Sequence, residues 1–329
     1  MTLIFSEPVT PAGAGIKVFS PTGRQVAAPA TARGTVLVAA VSAAELGTYV
    51  VSWQVFATDT HPSRGAFRFV AGRASANPYT ALLSAPEVGT ATPAGVALQA
   101  LAHWAHFIGF ALVIGVVGYG ILVRRAFTPS LVGAGIALLI AAEPLALLGQ
   151  LASLSLDGDT ALAVLGSTFG RLLGLRLGAA LLLWTVMAMG RAWPLLAVGA
   201  VMALLDGAGA HAIPGLPAVG QLLVAVHVAA MGLWVGGLAA FARAPDRRFV
   251  RYAAITLGVA VATGLVLALE HTHVSTVLTS DYGRVLLFKV IVVGAAVVAA
   301  VLNRHRLELV AVIGVIALAS IVAALPPPF

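Results

Sequence analysis

The feature that most constrains the fold is a series of long apolar runs that fills the chain from residue 98 onward. Each run is close to the roughly 20 residues that an α-helix needs to cross a bilayer. With 60% hydrophobic and 9% charged residues, the chain departs far from soluble domains, in which about 25% of residues are charged. We therefore predict a mainly α-helical membrane bundle of about eight helices. The expected spans are residues 98–123, 129–151, 171–190, 194–211, 219–242, 249–271, 284–302 and 308–325.

The residues before the first span have a different character. Short stretches at residues 16–19, 35–39 and 48–56 are rich in β-branched and aromatic side chains, and Gly and Pro separate them. This pattern predicts a small all-β sandwich of the cupredoxin or immunoglobulin-like type. Gly, Ala, Ser, Pro and Thr then recur without periodicity, which indicates a linker. The expected organisation is a β-domain at 1–72, a linker at 73–97 and a membrane domain at 98–329.

Arginines in alternate loops predict the orientation. The positive-inside rule assigns loops rich in Lys and Arg to the cytoplasm. Eight spans would then place both termini and the β-domain outside the cytoplasm. Because these arginines act as topology signals, the net charge of +7 does not indicate nucleic-acid binding. The loop arginines are Arg124, Arg125, Arg191, Arg243, Arg247, Arg248, Arg251, Arg304 and Arg306.

Seven of the eight histidines fall on the outer side of the membrane domain or in its outer half. Imidazole is the commonest metal ligand, and ionisable groups within a membrane are usually functional. The absence of cysteine excludes disulfides, thiolate sites and Fe–S clusters. The candidate metal ligands are therefore His61, His103, His106, His211, His227, His271 and His273, with Met231 one turn beyond His227 as a soft ligand.

Structural explanations compete with metal binding near the outer surface. His103 and His106 lie three residues apart on one helix face and, beside Trp104, could be interfacial anchors instead of ligands or parts of an ion path. His211, shortly before Pro214, could be a solvated helix cap.

The deeper candidates have alternatives as well. His227 could be a core histidine bonded to a neighbouring helix, and Met231 could be an ordinary packing residue. His271 and His273 could bind one ion together with Glu270 only if the helix ends there, because neighbouring side chains on a helix diverge.

Other polar residues also lie within the expected spans. Glu143 and Asp206 occur in the second and fourth spans, and Lys289 lies in the seventh. An unpaired ammonium group inside a membrane is costly. We expect Lys289 to pair with Asp206, Glu270 or Asp281.

Motifs in the first part of the chain resemble a known domain. Phe-Ser-Glu-Pro-Val stands at residues 5–9, Gly-Thr-Tyr-Val-Val-Ser-Trp at 47–53, and Thr-Asp-Thr-His-Pro at 58–62, with Gly65 shortly after. Residues 2–70 thereby resemble the CopC copper-binding β-sandwich, whose signatures read F-S-E-P-V, G-T-Y-x-V-x-W and S-x-D-G-H-P-x-x-G.

The later part carries a second resemblance. Four motifs are similar to those of the CopD membrane family. They are Gly-Ala-His-Ala at 209–212, the stretch 227–238, Thr-Gly at 263–264, and Asp-Tyr-Gly-Arg with its apolar continuation at 281–289. The resemblance covers most of residues 98–328, so the chain is similar to CopC–CopD fusion proteins of bacterial copper handling.

The CopC resemblance implies a copper site in the β-domain. CopC-like domains hold Cu(II) through an amino-terminal histidine and the Asp and His of D-G-H-P, which correspond here to Asp59 and His61. On an extended segment, their spacing places both side chains on one face. The domain has no Met-rich stretch, which argues against a second site for Cu(I).

The start of the chain departs from the family. The sequence begins at Met1 within what should be the second strand, without a signal peptide or an early histidine. Either the true start lies upstream, which the intact Asp59 and His61 favour, or the domain has degenerated.

Together, the resemblances imply copper uptake or resistance at a bacterial cell membrane. We expect copper to reach the outer histidines and to continue along His227 and Met231. Its oxidation state within the bundle is left open. The expected partners are copper ions and the lipid bilayer, and a periplasmic or extracellular copper chaperone would be compatible.

Two other functions fit parts of the pattern. A haem-bearing electron-transfer bundle could use His103 or His106 with His227, although these histidines cluster near one surface. A copper buffer or sensor would bind the metal without moving it. The chain has neither a Walker motif nor an Asp-Lys-Thr-Gly phosphorylation motif, so we expect no direct ATP coupling and no enzymatic activity.

Overall fold

The computed structural model describes residues 1–5, 8–57, 62–84, 92–124, 126–154, 156–210, 216–272, 277–302 and 305–325. The chain forms two compact units. One comprises residues 1–95 and 150–171, and the other comprises residues 96–149 and 172–329.

The amino-terminal part is a small β-domain, as predicted. Its antiparallel strands form two three-stranded sheets, ordered β1-β4-β3 and β2-β5-β6. Side chains alternate between the two faces of a strand, and in β5 Tyr49, Val51 and Val55 enter a core shared with Ile16 and Leu37. The strands are β1 Thr2–Ile4, β2 Val9–Phe19, β3 Thr31–Arg33, β4 Val36–Val38, β5 Gly47–Ala57 and β6 Pro62–Ala71.

Hydrogen bonds hold the residues that follow β6 against the β-domain. The buried Asn77 donates from Nδ2 to the carbonyl oxygens of Ser20 at 2.8 Å and Thr48 at 2.9 Å. Ser75 and Thr48 also exchange two hydrogen bonds of 3.0 Å each. The first residues of the expected linker are therefore anchored to the domain, ahead of a 3₁₀ turn at Thr80–Ser84.

Apolar helices make up the rest of the described chain. Seven are long and apolar enough to cross a membrane, while α5 is apolar but has 17 residues. The predicted bundle of about eight helices is thus confirmed. The helices are α1 Pro93–Tyr119, α2 Pro129–Ser153, α3 Gly158–Gly166, α4 Thr168–Ala188, α5 Ala192–Ala208, α6 Pro217–Arg243, α7 Phe249–His271, α8 Asp281–Val301 and α9 His305–Ala324.

The short helix α3 lies between the second and third expected spans, where no helix was predicted. Asp157 caps its first turn by accepting a 2.8 Å hydrogen bond from the backbone N–H of Thr160. Such a cap satisfies one of the N–H groups that have no partner within the helix. A polar Asp-Gly-Asp sequence therefore begins a helix here.

Glycines bring α1 and α6 into close contact. A Cβ atom on Gly236 would collide with the backbone of α1, and one on Gly115 would collide with the Gly232 carbonyl oxygen. Small residues allow this approach between membrane helices. Near the end of α1, the Tyr119 hydroxyl donates to the Ala244 carbonyl, just beyond α6. The two helices therefore run parallel.

Candidate ion sites in the helical domain

Four ionisable side chains from four helices meet inside the bundle. His106 on α1 lies between two carboxylates, with Nδ1 3.3 Å from Glu143 Oε1 on α2 and Nε2 3.0 Å from Asp206 Oδ2 on α5. Arg176 on α4 completes the group, because its Nε lies 3.0 Å from Asp206 Oδ1 as an ion pair without the geometry of a directed hydrogen bond. We call these four residues the His106 cluster.

Three members of the His106 cluster are almost fully buried, whereas Arg176 is partly exposed. His106, Glu143 and Asp206 are only 5%, 3% and 7% exposed. The Phe110 ring lies parallel to the imidazole with an interplanar angle of 5°, and Phe107 meets it edge-on. Buried charges are tolerated only when they are paired. With His106 protonated, two cations balance two carboxylates.

Both ring nitrogens of His106 are engaged in this arrangement. A protonated imidazole donates to Glu143 and Asp206 at once, whereas a neutral ring requires one carboxyl group to carry the proton instead. In either case no nitrogen lone pair is open to a metal ion. Among the described residues, no group of three or more His, Asp or Glu side chains is arranged to hold a metal. We therefore treat His106 as part of a charge-balanced cluster.

His227 on α6 has a different environment. Its Nδ1 lies 2.9 Å from the Ala260 carbonyl oxygen and 3.0 Å from Thr263 Oγ1 on α7. The Thr263 hydroxyl donates its own hydrogen to the Val259 carbonyl at 2.7 Å. Because a carbonyl oxygen can only accept, Nδ1 carries the proton. A neutral His227 then presents Nε2 with its lone pair, which is how metal-binding histidines are commonly oriented.

The surroundings of His227 leave space for the ring. Gly264 lies beside it, and a Cβ atom there would lie only 2.8 Å from Cε1. Lys289 on α8 is near enough for its charge to act on the imidazole. Met231 follows one turn later on the same helix face and is half-buried. Within the described residues, Nε2 of His227 has no hydrogen-bond partner.

The two histidines occupy different interfaces of the bundle. His227 and Gly236 are nine residues apart, which at 3.6 residues per turn places them on opposite faces of α6. Gly236 faces α1, the helix that carries His106, whereas His227 faces α7. The described residues therefore do not gather His106 and His227 into one cavity.

The remaining candidate ligands are less completely defined. His103 is half-buried on α1, its ring stacks on Phe107 at a centroid distance of 5.9 Å, and it acts electrostatically on Asp206. His271 is the last residue of α7, but its side chain lies outside the described part of the structure. Four predicted ligands fall outside the described residues altogether: Asp59, His61, His211 and His273.

Arg176 was not among the predicted site residues, and Asp206 has other partners than the one expected. Asp206, proposed as a partner of Lys289, instead contacts His106 and Arg176. Among the described residues, no ion pair joins Lys289 to an acid, and Asp281 lies 3.6 Å from Arg284. A usable signal was present, since an arginine within an apolar span needs a buried anion nearby.

Comparison with known proteins assigns the first part of the chain. Residues 1–72 match the CopC domain family. No curated protein and no solved structure matches the chain. The chain therefore consists of a CopC domain, which points to copper handling, followed by a region of apolar helices.

Proposed function

We propose that this protein is a non-enzymatic copper transporter of a bacterial cell membrane, which captures Cu(II) outside the cell and passes copper through its helical domain. The CopC match supports the choice of metal. Seven helices long enough to cross a membrane support the location.

Capture would occur at the β-domain through Asp59 and His61. In the sequence, these residues stand between the end of β5 and the start of β6. Nitrogen and carboxylate donors suit Cu(II). With the arginine-rich loops in the cytoplasm, both termini and the β-domain would lie outside.

His227 is the main copper ligand on the proposed route through the membrane. Its Nδ1–H is fixed by Ala260 and Thr263, so Nε2 can bind copper without further reorientation of the ring. Met231 on the same face would supply a second, softer contact. His211, His271 and His273, at or just beyond the ends of helices, would lead copper to this position.

The geometry disfavours haem-based electron transfer by His106. An axial ligand must offer a nitrogen lone pair to iron, but Nε2 of His106 faces Asp206 at 3.0 Å. A copper buffer or sensor would use the same ligands without moving the metal, so it must be separated by experiment.

Copper accumulation in cells tests the proposal. Cells that express the chain should accumulate copper, and His227→Ala and His211→Ala should abolish most of this increase. His305→Ala provides a matched control, because it removes a histidine expected on the cytoplasmic side.

The outcomes are distinct. Unchanged accumulation in both His227→Ala and His211→Ala would remove the proposed route. Copper binding to the purified protein without accumulation in cells or loaded vesicles would identify a buffer. Equal loss in the His305→Ala control would show that the effect is not specific to the route.

A further inference from the structure

The His106 cluster changes its net charge with a single proton. Its two carboxylates, one guanidinium and one imidazolium sum to zero, and loss of one proton leaves a net charge of −1. Such a charge is costly in a site whose carboxylates are almost fully buried. Occupation by a proton therefore determines whether the cluster is electrostatically balanced.

The geometry allows the proton to move within the cluster. In transfer from His106 to Glu143, the Nδ1–H bond breaks and an O–H bond forms on Oε1 across the 3.3 Å contact. The imidazolium and carboxylate then become a neutral imidazole and a carboxylic acid. When Glu143 releases that proton to water, Arg176 is the only formal cation left in the cluster, facing two carboxylates.

The titratable neighbours of His106 come from several helices. Glu143 faces it from α2, Asp206 from α5, and Arg176 reaches Asp206 from α4. On α1 itself, His103 lies one turn earlier and acts on Asp206. The face of α6 that packs against α1 carries Gly232, Leu233 and Gly236, and His227 lies on the face opposite Gly236.

Close packing links the His106 cluster to α6. The Phe110 ring, parallel to His106, fills the space beside Gly232, where a Cβ atom would lie 2.9 Å from it. Next to Asp206, Gly207 fits so tightly against α6 that a Cβ atom would collide with the Gln221 carbonyl. A shift of α1 or α5 must therefore displace α6.

His106 and His227 lie at the same height along the two helices, measured from the point where α1 and α6 cross. His106 precedes Gly115 by nine residues, and His227 precedes Gly236 by nine residues. Because the helices run parallel, both lie about 13.5 Å from the crossing, at 1.5 Å per residue. A change at His106 thus acts on α6 at the level of His227.

We propose that the His106 cluster binds and releases one proton in each transport cycle and thereby couples copper passage at His227 to proton movement. This inference rests on the transport function proposed above. It adds a named coupling ion and a separate site for it, on the opposite face of α6 from the copper contact.

Proteoliposomes that contain the wild-type chain test the coupling directly. Copper and lumenal pH are followed together while the membrane potential is clamped. If one proton moves with each copper ion, a gradient of one pH unit should change the copper accumulation ratio about tenfold. Copper accumulation without proton flux and without response to the gradient would overturn the coupling.

Conservative variants test whether the proton binds at the His106 cluster. Glu143→Gln keeps an oxygen that can accept from Nδ1 but cannot take up a proton, so it should lose the response to the gradient while copper binding persists. Glu308→Gln makes the same change at a buried glutamate on α9 and should retain the response. A retained response in Glu143→Gln would contradict the assignment. If Glu143→Gln does not fold, Asp206→Asn serves as the second variant, with the same expected loss.

Failure of transport and failure of the proton site remain distinguishable. If the wild-type chain moves no copper, the proposed function fails. The proton site is then judged by infrared difference spectra of the purified protein between about pH 5 and pH 10, because the two carboxylates favour the protonated form of His106. A pH-dependent imidazolium or carboxylic acid band that Glu143→Gln shifts or removes and Glu308→Gln retains would support proton exchange, and the absence of both bands in the wild type would refute it.

Discussion

A Cβ atom on Gly264 would lie 2.8 Å from Cε1 of His227, so the imidazole occupies space that only glycine leaves open on α7. The preceding residue, Thr263, lies 3.0 Å from Nδ1 of the same ring. The Thr-Gly pair thus combines two effects, since one residue orients the imidazole and the other admits it.

Gly264→Ala should displace the His227 ring and reduce copper accumulation strongly. A Cβ contact below 3 Å forces the imidazole to move, which breaks its hydrogen bond to Ala260. Gly258→Ala is the matched control, because the same methyl group on α7 would meet nothing within 4 Å. Copper uptake by cells and copper binding to the purified variants provide the measurements. Equal uptake by the two variants would show that ring placement does not matter.

Thr263→Val should weaken copper binding at His227 moderately. The substitution keeps the β-branched shape but removes the oxygen that lies 3.0 Å from Nδ1, so the Ala260 carbonyl alone orients the ring. Loss of a supporting hydrogen bond of this kind typically costs 10–100-fold in metal affinity. Thr263→Ser keeps the hydroxyl and should restore affinity. Titration of the purified variants with copper checks both, and failure of the serine variant to restore binding would point to packing as the cause.

Asp206→Ala should destabilise the helical domain more than Glu143→Ala. Asp206 faces both His106 and Arg176, whereas among the described residues Glu143 has its charged contact with His106 alone. Removing one partner of a buried ion pair costs about 3–5 kcal/mol, because the remaining charge is left uncompensated. Thermal unfolding in detergent, followed by tryptophan fluorescence, gives the order of stability. A lower midpoint for Glu143→Ala would show that Arg176 does not depend on Asp206.

The helices were predictable because lipid offers the backbone no hydrogen-bond partners. A segment within a bilayer must satisfy its own hydrogen bonds, so an apolar run of sufficient length becomes a helix. The span expected at 249–271 coincides with α7, Phe249–His271. Helix α3 was not predicted because its start depends on a cap by Asp157 and not on hydropathy.

The sequence alone could not predict which polar side chains contact each other inside the helical domain. Hydropathy identified Glu143, Asp206 and His106 as polar residues within apolar spans, but it does not determine which helix faces which. His106 and Asp206 are 100 residues apart, and their contact depends on how α1 and α5 pack. The same limitation produced the wrong expectation that Asp206 could neutralise Lys289.

Asn77→Ala should loosen the edge of the β-domain. Asn77 Nδ2 bridges carbonyl oxygens that follow β2 and lie in β5, and loss of both strong hydrogen bonds should cost about 2 kcal/mol. Hydrogen–deuterium exchange of the full chain should show faster exchange in peptides that contain Ser20 and Thr48. Arg73→Ala, an exposed change nearby, should leave these rates unaltered. Equal rates in the two variants would mean that Asn77 does not hold this edge.

Gly236→Ala should disturb both sites in the helical domain at once. The added methyl group would collide with the α1 backbone, so α1 and α6 must separate. That separation moves His106 relative to Asp206 and moves His227 relative to α7. Gly294→Ala on α8 introduces the same group where nothing lies within 4 Å, and it should behave like the wild type. Copper binding and pH-dependent infrared spectra of the two variants provide separate readouts for the two sites. If Gly236→Ala changed copper binding but left the carboxyl spectrum intact, the two sites would be mechanically independent, and coupling through α6 would have to be abandoned.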